Sequence, residues 1–128
     1  MGFERYLGPE ESAQVAVVNY LRLAYPKVLF HHSPQETYTK SHYQKWKNKA
    51  LGTIPGCPDL LIFELSVQGL RNSAGLAIEM KHGRNKPTAE QNKFMNELKR
   101  CGWRCEVCYD SAEAIEVIDD YFNHQASG

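Results

Sequence analysis

Two short apolar runs constrain the fold of this chain more than anything else in it. Residues 56–65 read Gly-Cys-Pro-Asp-Leu-Leu-Ile-Phe-Glu-Leu, and residues 75–83 read Gly-Leu-Ala-Ile-Glu-Met-Lys-His-Gly. Short aliphatic runs punctuated by Gly and Pro are what strands look like, and helices need longer ones. Asp59–Leu65 and Leu76–Lys81 are the predicted strands, and the polar segment between them, with Gly69 and Gly75, suits a long hairpin. Each run nevertheless holds ionisable groups where a purely structural strand favours apolar ones. Asp59 opens the first; Glu79 and Lys81 close the second.

The rest of the chain surrounds those strands with helices. Residues 9–25 form a predicted helix, with Pro9 and two acids in its first turn and Val17, Val18, Leu21 and Ala24 as its apolar stripe; Pro26 ends it. Residues 27–32 are a short strand candidate. A polar connection follows, with a helix predicted around Tyr38–Leu51 and closed by Gly52 and Pro55. Residues 87–103 carry the best-marked helix: Thr88 and Gln91 fit a capping box, Phe94, Leu98 and Cys101 share a face, and Gly102 stops it. Residues 104–109 read as a strand. Asp110 or Ser111 then caps a last helix whose core face is Ile115, Ile118 and Phe122. The expected fold class is α/β, a mixed sheet flanked by helices in the order α-β-(α)-β-β-α-β-α.

At 128 residues, 42% hydrophobic and 23% charged, the chain has the size and composition of one ordinary domain over 1–128. It has no apolar run of membrane-spanning length, and its first twelve residues lack the apolar core of a secretory leader, so a cytoplasmic location is expected. Cys57, Cys101, Cys105 and Cys108 are then expected to act as small buried hydrophobes rather than as disulfides. Net charge is zero, which does not announce a nucleic-acid binder, but the charge is unevenly spread. Thr37 to Pro58 holds no acid, while Lys40, Lys45, Lys47 and Lys49 alternate there with Tyr38, Tyr43 and Trp46. Lys81, Arg84 and Lys86 form a second basic group, and Glu106 to Asp120 holds six acids without a Lys or Arg. A polyanion fits the basic end. A solvated face balanced by an acidic helix explains the same pattern, and charge alone favours that plainer account.

Strand side chains alternate faces, so Glu79 and Lys81 project to one side and Ile78 and Met80 to the other. If the two strands pair as a hairpin, Asp59 lies beside the end of the second, and Asp59, Glu79 and Lys81 reach one point. Two neighbouring carboxylates repel, which raises a pKa unless a cation neutralises them. A hard divalent cation does so, and Mg²⁺ takes one or two carboxylates with waters and a phosphate oxygen. Lys81 is then placed to hold or deprotonate a water, or to stabilise charge developing on phosphorus. Acid, acid, lysine and metal suffice for phosphodiester hydrolysis. In isolation an Asp followed by Glu-x-Lys is better explained as a surface ion pair, but the Gly-x-Pro before Asp59 and the Thr-x-x-Gln helix start add to it.

With these motifs in order and spacing, Gly56 to Trp103 resembles the VRR-NUC domain, the virus-type replication-repair branch of the PD-(D/E)XK nucleases, and the resemblance extends back to Glu10. It implies a restriction-endonuclease-like α/β core and a metal-dependent DNA endonuclease. Asp59 and Glu79 would be metal ligands with the main-chain carbonyl of Met80, and Lys81 the catalytic lysine. Gln91 matches the family's active-site glutamine, and it also fits a plain capping role as partner of Thr88. Glu11 matches the family's first-helix glutamate through its spacing to Gln14, with Glu10 one residue away; an acid there also complements the helix dipole. The cofactor implied is Mg²⁺ or Mn²⁺. Stand-alone family members are viral or bacterial, and some are similar to Holliday-junction resolvases of DNA repair. Branched or junction DNA is thus the implied substrate, and paired cuts argue for a homodimer. Lys45, Lys47, Lys49, Arg84 and Lys86 are the candidate DNA contacts.

Other residues weigh less. His31 and His32 read as satisfied structural histidines more readily than as phosphate contacts. Tyr38, Tyr43 and Trp46 among lysines offer stacking surfaces, although aromatics at that spacing more often pack against the domain. Cys101, Cys105 and Cys108 do not read as a zinc site, since Cys105 and Cys108 face opposite sides of a strand and no fourth ligand is near. The alternative function is a non-catalytic nucleic-acid-binding module that keeps the nuclease fold, or a structural protein whose ion pairs only stabilise the sheet.

Overall fold

The structure, a computed structural model, describes residues 2–33, 41–68 and 71–126. After a 3-10 turn at Glu4–Tyr6, the elements are α1 (Pro9–Ala24), β1 (Phe30–His32), α2 (His42–Ala50), β2 (Leu60–Ile62), β3 (Ser66–Gln68), β4 (Arg71–Ser73), β5 (Leu76–Met80), α3 (Ala89–Arg100), β6 (Arg104–Cys108) and α4 (Ser111–Ala126). Four strands form one sheet in the order β1-β2-β5-β6, and β3 with β4 forms a separate ribbon. β1, β2 and β5 pair antiparallel, whereas β6 runs parallel to β5. The parallel step is the one that α3 spans, as a parallel crossover requires. The mixed α/β architecture expected from the chain's periodicity is present.

Alternation sorts the sheet's side chains. Leu60, Ile62, Leu76, Ile78, Met80 and Cys108 join Val17 and Leu21 of α1 and Ala114, Ile118, Tyr121 and Phe122 of α4 in the main core. Burying one such Leu or Ile contributes about 1.5–3 kcal/mol, so this cluster supplies most of the driving force for the fold. On the opposite face lies α3: the Cys105 thiol points away from the core side of β6 and donates to the Met95 carbonyl at 3.6 Å. α1 and α4 are also tied by polar contacts, Tyr20 and Tyr25 both donating to Asp119 Oδ1, at 2.5 and 2.7 Å.

Several boundaries differ from expectation. β1 is confined to Phe30–His32, and the helix expected from Tyr38 begins at His42, with Tyr38 and Lys40 outside the described residues. The strand expected to reach Leu65 stops at Ile62, because the chain turns off the sheet into the β3–β4 ribbon. The Tyr121 hydroxyl fixes that departure by donating to the Glu64 carbonyl at 2.5 Å. On α4 the core face is Ala114, Ile118, Tyr121 and Phe122, with Ile115 only half-buried. On α3 Gln91 and Met95 are buried, Phe94 and Leu98 half-buried, and Cys101 exposed, since the helix ends before Cys101 reaches the sheet. Cys57 and Cys105 are half-buried and Cys108 buried, all four cysteines being free thiols.

Candidate active site

The antiparallel register pairs Leu60 with Ile78, which sets Asp59 against Glu79 at one end of the sheet. Asp59 arrives there on a loop that only glycine permits. Gly56 has φ of 93°, and a Cβ on it would stand 2.4 Å from the Glu90 carbonyl oxygen. The loop therefore lies directly on the first turn of α3. Asp59 is 7% exposed, and its Oδ2 accepts the Met80 N–H at 2.8 Å. That bond fixes the carboxylate to the main chain of the strand that carries Glu79. Lys81 continues the ladder one rung past Met80, donating its N–H to the Cys108 carbonyl at 2.9 Å.

Glu79 and Lys81 project to the same side, as alternation predicts, and Lys81 Nζ lies 3.3 Å from Glu79 Oε2. Glu79 is 1% exposed, and its Oε1 is buried with no hydrogen-bond partner. Burial, reinforced by the negative charge of Asp59, pushes the Glu79 carboxyl up to about 7, while Lys81 pulls in the other direction. One ammonium does not neutralise two carboxylates, and an orphaned buried carboxylate oxygen is costly.

This arrangement fits a hard divalent cation. Its donors are carboxylate oxygens on two adjacent strands, with one oxygen lacking any partner. Among the described residues, no three His, Cys, Asp or Glu side chains form a closed metal-binding group. Two carboxylates completed by waters and a substrate oxygen suit Mg²⁺ better than a closed protein cage does. The main chain of Met80, bonded to Asp59, lies within the same constellation.

A groove of about 620 Å³ opens beside Asp59 along α1, lined by Glu10, Glu11, Gln14 and His32 among others. Both candidate first-helix acids thus share a groove with Asp59. Glu11 Oε1 accepts the Gly8 N–H at 2.9 Å, completing the cap of α1, so the capping role of this glutamate is realised in the structure. Gln91 also caps: its Oε1 accepts the Thr88 N–H at 2.9 Å, and Thr88 Oγ1 accepts the Gln91 N–H at 3.1 Å. Its helix turn is the one that Gly56 abuts.

His32, expected as a satisfied structural histidine, is paired, and its partners tie it to the site. Its Nδ1 lies 2.8 Å from the Asp59 carbonyl oxygen, and the Gln14 amide lies 2.7 Å from the same nitrogen. When Nδ1 carries the hydrogen it donates to the Asp59 carbonyl, and in the other tautomer it accepts from Gln14 Nε2. The chain α1–His32–Asp59 was invisible beforehand because it depends on the β1–β2 register, which pairs His32 with Leu60. Cys57 is likewise closer to the site than its place in the motif suggests. Burial raises its thiol pKa, and Glu79 and Asp59 act in the same direction.

The basic candidates are exposed. Lys45, Lys47 and Lys49 are exposed on α2, and Arg84 and Lys86 are exposed in the turn after Lys81. No helix among the described residues is long and apolar enough to cross a membrane.

Comparison with known proteins gives the family and the fold. Residues 9–112 match the VRR-NUC domain family. A solved structure described as a VRR_NUC domain protein superposes with a TM-score of 0.71 at 25% sequence identity, covering 91% of this chain and 90% of that one. No curated protein matches the chain.

Proposed function

The chain belongs to the VRR-NUC domain family, a nuclease family, and from that premise we propose that it is a metal-dependent DNA endonuclease acting on branched or junction DNA. The observation that carries the reading is the pair of carboxylates at one sheet end, one of them buried with an unpartnered oxygen, beside a lysine 3.3 Å away. Asp59, Glu79 and the Met80 carbonyl would hold Mg²⁺ or Mn²⁺, which would supply Lewis-acid activation of the scissile phosphate and of water. Glu11, on the groove wall, would orient a water. Lys81, held by the β5–β6 ladder, would place the attacking water and balance charge gathering on the phosphate oxygens. Gln91 would keep the first turn of α3, and with it the Asp59 loop, in place. Lys45, Lys47, Lys49, Arg84 and Lys86 would neutralise flanking phosphates.

A single domain over 1–128 carries one such site, so symmetric cutting of a junction would take a homodimer. Leu23 of α1, 84% exposed, offers apolar surface for it. The test uses labelled junction, flap and linear DNA with Mg²⁺, Mn²⁺ or EDTA. Cleavage is expected to need the metal and to favour branched DNA. Lys81→Ala is expected to lose cleavage while folding and binding DNA normally. DNA binding without cleavage by the unaltered chain, under every metal condition, would leave a non-catalytic binding module instead.

A further inference from the structure

α2 is a helix that buries none of its residues. Its aromatic side chains were expected to pack on the domain; instead Tyr43 and Trp46 are each 65% exposed. They stand one turn apart on one face, with ring centroids 6.0 Å apart and planes inclined by 31°. Asn48, the one half-buried residue of the helix, projects about 160° away from Trp46 at 3.6 residues per turn. The rings thus face solvent, on the side away from the half-buried Asn48, to which Gln44 donates at 2.7 Å. That is the reverse of an ordinary amphipathic surface helix.

At 3.6 residues per turn Lys47 lies about 40° from Tyr43 and Lys49 about 60° from Trp46, so both flank the rings while Lys45 projects to the far side, and no acid occurs from Ser41 to Pro58. The connection that holds α2 leaves the sheet at His32 and returns to it at Asp59, so both of its anchors lie at the candidate active site. An exposed pair of rings wedged among cations has the chemistry of a platform for nucleobases, whose faces stack on the rings while their phosphates meet the lysines. Paired bases offer only their edges, so the rings have a partner only where bases are unpaired. A second copy docked symmetrically through α2 would set three lysines against three lysines, which disfavours self-association there.

We propose that α2 is a docking arm for nucleic acid with unpaired bases, using Tyr43 and Trp46 to stack them and the neighbouring lysines to hold their phosphates. The proposal rests on the nuclease reading for what happens next to the bound strand, but the binding itself is measurable apart from cleavage.

The test is fluorescence anisotropy with Lys81→Ala protein and a labelled single strand, a forked duplex and a blunt duplex of one sequence. Tyr43→Ala/Trp46→Ala is expected to weaken binding to the single strand and the fork by about tenfold or more, and to the blunt duplex by less than about threefold. Tyr43→Phe/Trp46→Phe is expected to restore most of the loss. Quenching of Trp46 fluorescence by the single strand, absent with blunt duplex, is the accompanying signature. Circular dichroism and thermal unfolding of both variants are expected to match the parent, because α2 buries nothing. Equal losses on all three DNAs, no loss on any, or no binding by the parent would overturn the proposal. So would a parent dimer that turns monomeric in the alanine variant with DNA binding intact, since the occupant would then be a second copy. A parent with wild-type Lys81 that cuts no DNA yet shows the stacking pattern would sink the nuclease reading and leave the arm standing.

Discussion

Replacing Glu79 by glutamine is expected to stabilise the metal-free protein at neutral pH while abolishing cation binding and cleavage. The magnitude follows from the site. Glu79 is 1% exposed, has one oxygen without a partner, and titrates near 7 against an ordinary value of 4.5. For an acid whose folded pKa lies above its unfolded one, the native state binds the proton more tightly. The group's contribution is fully present below about 4.5 and is lost as pH rises through about 7. A shift of that size costs the native state at most about 3 kcal/mol at pH 8, at about 1.4 kcal/mol per unit. Glutamine keeps the shape without the charge, and the Lys81 ion pair it loses is already contained in the value near 7, so nothing further is subtracted. The gain is therefore at most about 3 kcal/mol at pH 8, or on the order of 10 °C in melting temperature for a domain of this size. The assay is thermal unfolding in EDTA from pH 5 to pH 8. The variant and the parent should melt together near pH 5 and separate as pH rises; Mn²⁺ should then raise the parent alone. A gap that stays constant with pH would refute the reasoning. A variant less stable throughout would show that the Lys81 pair outweighs burial.

Gly56→Ala places a Cβ 2.4 Å from the Glu90 carbonyl oxygen at φ of 93°, so it should lower stability by about 2–4 kcal/mol, read by urea unfolding, and reduce cleavage by displacing Asp59. His32→Ala removes the Nδ1 donor to the Asp59 carbonyl and should reduce kcat about tenfold with KM for DNA little changed. His32→Asn, whose amide nitrogen falls near the position of Nδ1, should recover most of it, and steady-state kinetics separate the two. Tyr121→Phe deletes the hydroxyl that holds the Glu64 carbonyl and should cost about 1–2 kcal/mol, with faster amide exchange concentrated in the β3–β4 ribbon.

The parts of the fold set by local rules were legible in the sequence. Thr88 and Gln91 close the capping box their spacing announces, and Leu60–Ile62 against Leu76–Met80 is the hairpin pairing that the two apolar runs imply. The convergence of Asp59, Glu79 and Lys81 followed from that pairing and from alternation alone. What escaped depends on contacts between distant segments. Residues 66–73 lack an apolar alternation, so the ribbon they form, anchored by Ser66 Oγ donating to the Tyr121 carbonyl at 3.0 Å, left no pattern to read. Tyr121 itself was missed because its ring belongs to the core while its hydroxyl serves a segment 57 residues earlier. The exposed rings of α2 run against the usual behaviour of aromatics, which composition and spacing could only average over.

The electrostatics of the site explain why a protein of zero net charge keeps its charges so far apart. Asp59, Glu10 and Glu11 line the groove together with Arg22, and Glu79 is paired with Lys81 at 3.3 Å. Four acids set against Arg22 and Lys81 leave this rim without positive charge to spare, so by itself it opposes the substrate proposed for it. Attraction must come either from a divalent cation seated between the carboxylates or from cations set beyond them. In the proposed reading the lysines of α2 and the Arg84–Lys86 turn, all exposed to solvent, would fill that second role. Binding and chemistry would then reside in different side chains. Removing a lysine from α2 should weaken DNA binding on every sequence and reduce its salt dependence by about one counterion. Removing a carboxylate should leave that salt dependence in place and end the reaction.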